Sequence, residues 1–255
     1  MIDIHNHILP NVDDGAKSLD EALEMIKQAK RQGVTGIIVT PHHLHPRYNN
    51  SYDTVQKKLD ELSQNPDIKK LGVELFAGQE VRILDEALED INSGAIKGLN
   101  NSKYLLIEFP SGEVPKYAKR LFFELQNKGF TPIIAHPERN KAISNNPNIL
   151  FDLINSGALS QITSSSLNGD HGKNIKKLSI DLIEHQLVHF IASDAHNTDI
   201  RPFLMNDLLE NNSLKKVEDE IKELFDNGKH VINNGNVPKN RPLPFEKRKK
   251  FLGLF

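Results

Sequence analysis

The sequence predicts an α/β fold, a β/α barrel made of one domain, and three observations support this prediction. Short apolar runs alternate with stretches in which apolar side chains recur at helical spacing along the 255 residues. One strand, one helix and two loops take about 30 residues, so the chain holds about seven β/α units. Many of the apolar runs end in a histidine or a carboxylate. Because barrel strands end at one face, these side chains are expected to meet there.

The pattern of apolar residues gives the elements in order. The predicted strands are 2–5, 36–40, 73–77, 104–109, 131–135, 159–163 and 189–192. Helical spacing and cap residues predict helices over 19–32, 51–62, 85–91, 117–128, 148–155, 174–185, 205–209 and 214–225. The first helix is expected to begin after Ser18 and to bury Leu19, Ala22, Met25, Ile26 and Ala29. The run 104–109 is almost entirely apolar up to Glu108, which is typical of parallel strands buried on both faces.

Composition excludes several classes of protein. The net charge of −2 gives no electrostatic basis for binding nucleic acid. No apolar run approaches the roughly 18 residues of a membrane span, and the N-terminus has no signal pattern, so a cytoplasmic protein that is not itself transmembrane is expected. The absence of cysteine excludes cysteine nucleophiles. One domain is expected over 1–255, with a basic tail over 238–255, and an oligomer is left open.

Metal-type ligands end the apolar runs at regular intervals. The separations are 37, 38, 28, 28 and 58 residues along the series His5, His42, Glu80, Glu108, His136 and Asp194. The last separation, 58 residues, equals two steps of 29, as if the strand at 159–163 contributes no ligand. A carboxylate at the end of an apolar run is costly to bury unless it meets a cation. For either glutamate alone, a solvent-facing or lysine-paired side chain is the simpler interpretation, whereas the whole series favours metal.

Two pairs of ligands two residues apart strengthen this interpretation. His5 and His7 lie at the end of the first strand, and Asp194 and His196 follow the last one. Residues i and i+2 of a strand point the same way, so each pair can bind one cation. A single H-x-H pair is weak evidence, but barrel closure would make the two pairs neighbours.

The sequence does not settle which residues of two loops bind metal. Spacing alone does not choose among His42, His43 and His45, or between Asp13 and Asp14. A set of nitrogen and oxygen ligands without sulfur suits two or three manganese, iron, zinc or cobalt ions and does not choose among them.

Two arginines on the same face favour an anionic substrate. Arg139 lies three residues after His136, and Arg201 lies five after His196. A guanidinium binds phosphate oxygens as a bidentate donor, whereas the alternative for Arg139 is a surface salt bridge with Glu138. Metal pairs are a common device for phosphoryl transfer. The pattern therefore favours a metal-dependent phosphatase.

These motifs together resemble those of a known family. They are His5-Asn6-His7 with Asp13-Asp14-Gly15, Thr40-Pro41-His42-His43, Gly78-Gln79-Glu80, Ile107-Glu108-Phe109-Pro110, Ala135-His136-Pro137-Glu138-Arg139 and Ser193-Asp194-Ala195-His196. Over about residues 1–205 the chain is similar to the PHP (polymerase and histidinol phosphatase) superfamily, and more narrowly to the manganese-dependent protein tyrosine phosphatases of bacterial capsule loci, the CpsB/CapC type. The resemblance implies a distorted seven-stranded barrel.

The resemblance also implies a trinuclear metal site. It assigns the first ion to His5, His7, Glu80 and Asp194. Glu80 would bridge to a second ion held by Glu108 and His136, and the third ion would take Asp14, His42 and His196. Arg139 and Arg201 match the phosphate-binding arginines of the family.

The implied reaction is hydrolysis of phosphotyrosine in the tail of a membrane-associated bacterial tyrosine kinase, which regulates capsular or other exopolysaccharide synthesis. A metal-bridging hydroxide is expected to attack phosphorus directly, without the phosphoenzyme for which a cysteine would be needed. A histidine near the third ion, His42 or His196, is a candidate general acid.

Three alternatives remain at this point. The first is a small-molecule phosphatase of the same superfamily, of the histidinol-phosphatase kind. The second is a metal-dependent amidohydrolase, which would usually carry a bridging lysine where this chain has Glu80 and Glu108. The third is a regulatory protein that acts through the basic run Lys247-Arg248-Lys249-Lys250, which is otherwise a solvated terminus.

Overall fold

Parallel strands form the interior of the fold in the computed structural model, which describes residues 1–246. Within this range the strands are β1 Ile2–Asp3, β2 Gly36–Val39, β3 His42–His43, β4 Glu74–Ala77, β5 Glu80–Arg82, β6 Tyr104–Glu108, β7 Thr131–Ala135, β8 Leu159–Thr163 and β9 Phe190–Ala192. They form a three-stranded sheet, β1-β2-β4, and a six-stranded sheet, β3-β5-β6-β7-β8-β9. The basic run 247–250 lies outside the described residues.

The predicted α/β class is confirmed, but a strict seven-stranded barrel is not. The predicted strands 36–40 and 73–77 are each followed, after a short break, by a second strand that the sequence did not predict. The first strands, β2 and β4, belong to one sheet, and the second strands, β3 and β5, belong to the other. Pro41 lies in the first break and has no N–H for a strand ladder. Gly78 lies in the second, where a Cβ would stand 2.7 Å from Leu99 and 2.8 Å from Ile38. The breaks place His42 and Glu80 on separate short strands directly at the site.

The two sheets meet where the first and last strands end. Asn6 forms a parallel bridge with Ala195. The N–H of His7 donates to the carbonyl of Ala195 at 2.8 Å, and the N–H of Asp194 donates to the carbonyl of His5 at 2.8 Å. The predicted adjacency of the two ligand pairs is therefore present in the structure.

Twelve α-helices of the described residues surround the strands. They are α1 Leu19–Arg31, α2 Tyr52–Ser63, α3 Pro66–Leu71, α4 Ala87–Ser93, α5 Ala118–Asn127, α6 Lys141–Asn145, α7 Asn148–Asn155, α8 Ser164–Asn168, α9 Lys173–Glu184, α10 Asp207–Glu210, α11 Glu218–Asp226 and α12 Gly228–Ile232. Three 3-10 helices cover Leu99–Asn101, Pro137–Arg139 and Asn212–Val217. The predicted helix 214–225 therefore begins as a 3-10 helix. The sequence missed α3, α6, α8 and α12, which are too short to show a helical period.

Helix α1 begins as its sequence predicts. The Ser18 hydroxyl accepts from the N–H of Glu21 at 3.1 Å, and the Glu21 carboxylate accepts from the N–H of Lys17 at 2.7 Å. The face toward the strands buries Ala22, Met25, Ile26 and Ala29. Leu19 was expected on that face, but it is the first residue of the helix and is 44% exposed.

Alternate residues of the strands pack on opposite sides of the sheet. Leu105 and Ile107 belong to the cluster that packs against the helices, whereas Leu106 belongs to a second, interior cluster with Ile133 and Phe190. The predicted apolar strands are thus buried on both faces. Among the described residues, no helix combines the length and the apolar character that a membrane span requires.

Candidate metal centre

A cavity of about 310 Å³ lies at the carboxyl ends of the strands. Nine of the eleven predicted site residues line it, namely Asp14, His42, Glu80, Glu108, His136, Arg139, Asp194, His196 and Arg201. The remaining two, His5 and His7, are fully buried and contact Glu80 and Asp194. The fold therefore brings all eleven side chains to one place, although they span residues 5 to 201.

The first ligand group lies at the base of the cavity. The Nε2 atoms of His5 and His7 lie 3.3 and 3.4 Å from Oε2 of Glu80. The same two nitrogens lie 3.4 and 3.5 Å from Oδ1 of Asp194. These four side chains are the set that the resemblance assigns to one ion.

Several atoms of this centre are buried without a hydrogen-bond partner. They are Nε2 of His5, Nε2 of His7, Oδ1 of Asp14, Nδ1 of His42 and Oε2 of Glu80. Some lie close together, such as Nδ1 of His42 and Oε2 of Glu80 at 2.9 Å, yet they lack hydrogen-bond geometry. Buried polar atoms are almost always paired, because an unpaired one costs free energy. The residues present therefore fit divalent cations, which accept lone pairs from such atoms.

A second group lies on the side of the first loop. Ligand atoms of His7, Asp14, His42 and His196 all lie within 4.8 Å of one another. Oδ1 of Asp14 lies 3.4 Å from Nε2 of His42 and 3.5 Å from Nε2 of His196. This group contains the three side chains that the resemblance assigns to the third ion.

The remaining group differs from the implied set. Ligand atoms of Glu108, Glu80 and His42 lie within 4.8 Å of one another, whereas the resemblance groups Glu80 and Glu108 with His136. Nε2 of His136 contacts Oε1 of Glu80 at 2.9 Å, so Glu80 lies between Glu108 and His136 as that set requires. Arg82, which belongs to none of the sequence motifs, donates to the Glu108 carboxylate at 2.9 Å. Glu108 is thus paired with an arginine on the neighbouring strand β5, and its side chain is only 15% exposed.

Two side chains behind the ligands orient the imidazoles. Oδ2 of Asp13 lies 2.6 Å from Nδ1 of His7 and accepts from the N–H of His42 at 3.1 Å. Nδ1 of His5 lies 2.9 Å from Oε1 of Gln161. Such contacts leave the Nε2 atoms free for a metal ion. The structure thereby separates Asp13, which supports a ligand, from Asp14, which faces the cavity.

Gln161 lies on β8, the strand predicted to contribute no ligand. The strand indeed supplies none of the metal-type residues, but its amide holds His5. A glutamine in the middle of the predicted strand 159–163 was the available sequence signal, and the structure shows that its side chain is fully buried.

Both predicted phosphate-binding arginines contact Asp194. Nη2 of Arg139 and Nη2 of Arg201 donate to its Oδ2 at 2.6 and 2.7 Å. Glu138, the alternative partner of Arg139, is buried and accepts from the N–H of Thr163 at 2.9 Å. His136 and Asp194 have φ angles of +34° and +51°, and this uncommon left-handed backbone turns both side chains at the ends of their strands.

The electrostatic field of the centre lowers the pKa values of Asp14, Glu80 and Asp194, whereas burial and the charge of Glu80 raise the pKa of Glu108. Burial acts to raise the pKa of Asp194, but Arg139, His5 and Arg201 hold that pKa well below its usual value. Burial and then the charge of Arg139 lower the pKa of His136, which favours the neutral imidazole. Burial acts to lower the pKa of His7, but Asp13 raises it well above the usual value. A bound cation would therefore displace a proton from His7.

A family model described as capsular polysaccharide synthesis, CpsB/CapC, matches residues 1–233. The chain is 54% identical over 254 residues to CapC of Staphylococcus aureus, with 100% of each chain covered. It is 42% identical over 255 residues to tyrosine-protein phosphatase YwqE of Bacillus subtilis, again with 100% of each chain covered. It is 35% identical to tyrosine-protein phosphatase CpsB of Streptococcus pneumoniae, with 91% of this chain and 98% of CpsB covered.

Comparison with solved structures identifies the same relatives. A structure described as that of the metal-dependent tyrosine phosphatases YwqE from Bacillus subtilis and CpsB from Streptococcus pneumoniae superposes with a TM-score of 0.92 at 42% identity, covering 97% of this chain and 100% of that chain. An organophosphorus hydrolase from Deinococcus radiodurans has a TM-score of 0.54 at 13% identity, which shows a shared fold alone. With full-length relatives and a family match over residues 1–233, the chain belongs to the CpsB/CapC family.

Proposed function

We propose that this protein is a metal-dependent protein tyrosine phosphatase. The observation that carries the proposal is the convergence of two arginines and three groups of buried ligand atoms on one cavity. Cations at those groups and guanidinium donors beside them together form a site for a phosphate monoester. The names of the relatives, tyrosine-protein phosphatases YwqE and CpsB, support phosphotyrosine as the ester.

The proposed ligands are the nine side chains expected from the sequence. They are His5, His7, Asp14, His42, Glu80, Glu108, His136, Asp194 and His196. Manganese is the proposed metal, as two or three ions, and iron, cobalt or zinc would suit the same donors. Bound at these side chains, such ions would lower the pKa of water to supply a hydroxide nucleophile and would neutralise phosphate charge.

The chain's own residues position the ester and move its protons. Arg139 and Arg201 bind the non-bridging phosphate oxygens and stabilise the charge that develops on them. Hydrolysis proceeds directly in line with the departing phenolate oxygen, and the chain has no cysteine to form a phosphoenzyme. His42 and His196 line the cavity and are the candidates to protonate that oxygen. Tyrosinate leaves with a pKa of about 10, so a proton donor helps but is not essential.

We infer a role in capsule or exopolysaccharide synthesis, which the description of the family supports. The proposed substrate is the phosphotyrosine tail of a membrane-associated bacterial tyrosine kinase, and the proposed location is the cytoplasm. The whole chain is proposed to act as one phosphatase domain.

The test is turnover of a phosphotyrosine peptide by the manganese-loaded protein. Arg139→Ala and His136→Ala are each expected to lower kcat/KM about 100-fold or more, because each removes a group that contacts the phosphate or its cation. Arg120→Ala is the matched control, since Arg120 lies on the exposed side of α5 and pairs with Asp85 and Glu124. Wild-type-like turnover in both site variants would exclude the proposal.

A second arm of the same assay separates the alternatives. Faster turnover of histidinol phosphate than of the peptide would favour the small-molecule phosphatase. The amidohydrolase alternative calls for a bridging lysine, and none of the described residues that line the cavity is a lysine. Activity on an amide or lactone, with none on phosphoesters, would nevertheless favour it.

A further inference from the structure

The loop between β3 and α2 carries aromatic side chains to which the proposed mechanism gives no role. The rings of His45 and Tyr48 have centroids 5.4 Å apart and planes within 17° of parallel. The ring of His42 lies 4.7 Å from that of His45 and 6.0 Å from that of Tyr48, at interplanar angles of 21° and 9°. We call these three side chains the ring stack.

The loop holds these rings in fixed positions. His45 and Tyr48 exchange two backbone hydrogen bonds, at 3.0 and 3.1 Å. The N–H of Leu44, which has a φ of +55°, donates to the side chain of Asn49 at 3.1 Å. The N–H of Arg47 donates to Nδ1 of His45 at 3.3 Å and so orients the imidazole. A ring that is already ordered loses little conformational entropy when a ligand packs on it.

The ring stack borders the space that an ester group would occupy. His45 lines the same cavity as Arg139 and Arg201, and Phe109 adds an apolar surface to it. The volume of about 310 Å³ lies at the small end of the range for ligand pockets, so the cavity accepts about one side chain. The guanidinium of Arg47 lies 5.2 Å from the ring centroid of Tyr48. Tyr48 thus contacts Arg47, His42 and His45, and of the two rings carried by the loop it is His45 that lines the cavity.

We propose that the ring stack is an aryl-binding wall, in which His45, supported by Tyr48, packs against the phenyl ring of a phosphotyrosine. This inference rests on the proposed phosphatase function, because the phosphate must lie at the two arginines for the phenyl ring to reach His45. Specificity for an aryl ester then comes from this wall, while the arginines and cations bind the phosphate of any monoester. Stacked aromatic pairs favour offset geometry at centroid distances of about 4.5–7 Å.

Binding of two stable phosphonates to the manganese-loaded protein tests the wall without turnover. Phenylphosphonate is expected to bind wild type about fivefold more tightly than methylphosphonate, which is the usual contribution of an aromatic pair. His45→Ala and Tyr48→Ala are expected to abolish that preference and to leave methylphosphonate binding unchanged. His45→Phe and Tyr48→Phe keep a ring at each position and are expected to retain the preference. Isothermal titration calorimetry measures all the dissociation constants.

The controls separate the wall from the metal site. Because His45 also touches the proposed ligand His42, manganese content is measured in every variant. It should be equal in all of them. Phe123→Ala, at an aromatic side chain 62% exposed on α5, should behave as wild type. An equal affinity of wild type for both phosphonates, or an equal loss of both in His45→Ala, would overturn the wall and leave the phosphatase proposal standing. Failure of wild type to bind either phosphonate would instead overturn the phosphate site itself.

Discussion

Individual side chains of this protein divide between those that face the cavity and those that hold them. His7 illustrates the division, because its Nε2 faces Glu80 and Asp194 while its Nδ1 contacts Asp13. Gln161 supports His5 in the same way from β8. A neutral imidazole has one protonated nitrogen, so the supporting acceptor selects the tautomer that offers Nε2 to a cation.

The support from Asp13 gives a prediction at this scale. Asp13→Asn removes the carboxylate charge beside His7 and is expected to raise the manganese dissociation constant about 10- to 100-fold. Isothermal titration with Mn²⁺ measures this change. Asp20→Asn, at an exposed acidic residue of α1, is the control and should bind manganese as wild type does. An unchanged dissociation constant in Asp13→Asn would show that Asp13 only shapes the loop.

At the scale of secondary structure, the ends of the strands and the loops that follow them position the side chains of the site. The first loop returns onto the first strand, since the N–H of Ala16 donates to the carbonyl of His7 at 3.0 Å and the N–H of Gly15 donates to the Asp13 carboxylate at 2.9 Å. A Cβ at Gly15 would stand 2.0 Å from the carbonyl oxygen of His7. Only glycine therefore allows this loop to bring Asp13 and Asp14 beneath and beside the cavity.

Gly15→Ala tests the role of this loop. The added methyl group cannot be accommodated without a backbone shift, so the free energy of unfolding is expected to fall by about 1–3 kcal/mol. Phosphatase activity should fall with it, because the loop carries Asp14. Urea denaturation measures the first effect. Gly112→Ala has nothing within 4 Å of the new Cβ and should stay within about 0.5 kcal/mol of wild type. Equal stability of the two variants would contradict the close approach of residue 15 to the carbonyl oxygen of His7.

At the scale of the whole molecule, a buried histidine outside the metal centre makes the free energy of unfolding depend on pH. Burial, and then the charge of Lys239, lowers the pKa of His189 to about 3. His189 is 4% exposed, and its Nδ1 accepts from the N–H of Ser160 at 3.3 Å. In the unfolded chain its pKa is about 6.5. Between these two pKa values the unfolded chain binds a proton at His189 that the folded protein does not bind. The contribution of neutral His189 to the free energy of unfolding is therefore complete above pH 6.5 and decreases as the pH drops toward 3.

His189→Asn removes this titration and should flatten the pH profile. One proton corresponds to a slope of about 1.4 kcal/mol per pH unit, so the free energy of unfolding of wild type should fall more steeply than that of the variant by about 1 kcal/mol per unit near pH 5. Denaturation at pH 4–6 with chelator present in both samples, so that metal release does not contribute, measures the slopes. Parallel profiles would refute the assignment to His189.

The sequence alone determined the fold class, most of the larger elements and the set of side chains that meet at the cavity. This was possible because hydrophobic periodicity is local, and because parallel strands of β/α units all end on one side. Any ligand placed at a strand end is then directed to the same face, as His136 and Asp194 are, whatever their separation along the chain. The motifs at those strand ends also identified the family.

Only the tertiary structure decided which side chain performs which part. It separated Asp14 from Asp13, paired Glu108 with Arg82 and placed Gln161 against a histidine 156 residues away. It also added the short strands β3 and β5 after breaks at Pro41 and Gly78, so that the barrel is not the simple ring that counting units suggests. Such pairings depend on register and rotamers between distant segments. They are fixed by packing once water is excluded, and no local pattern in the sequence encodes them.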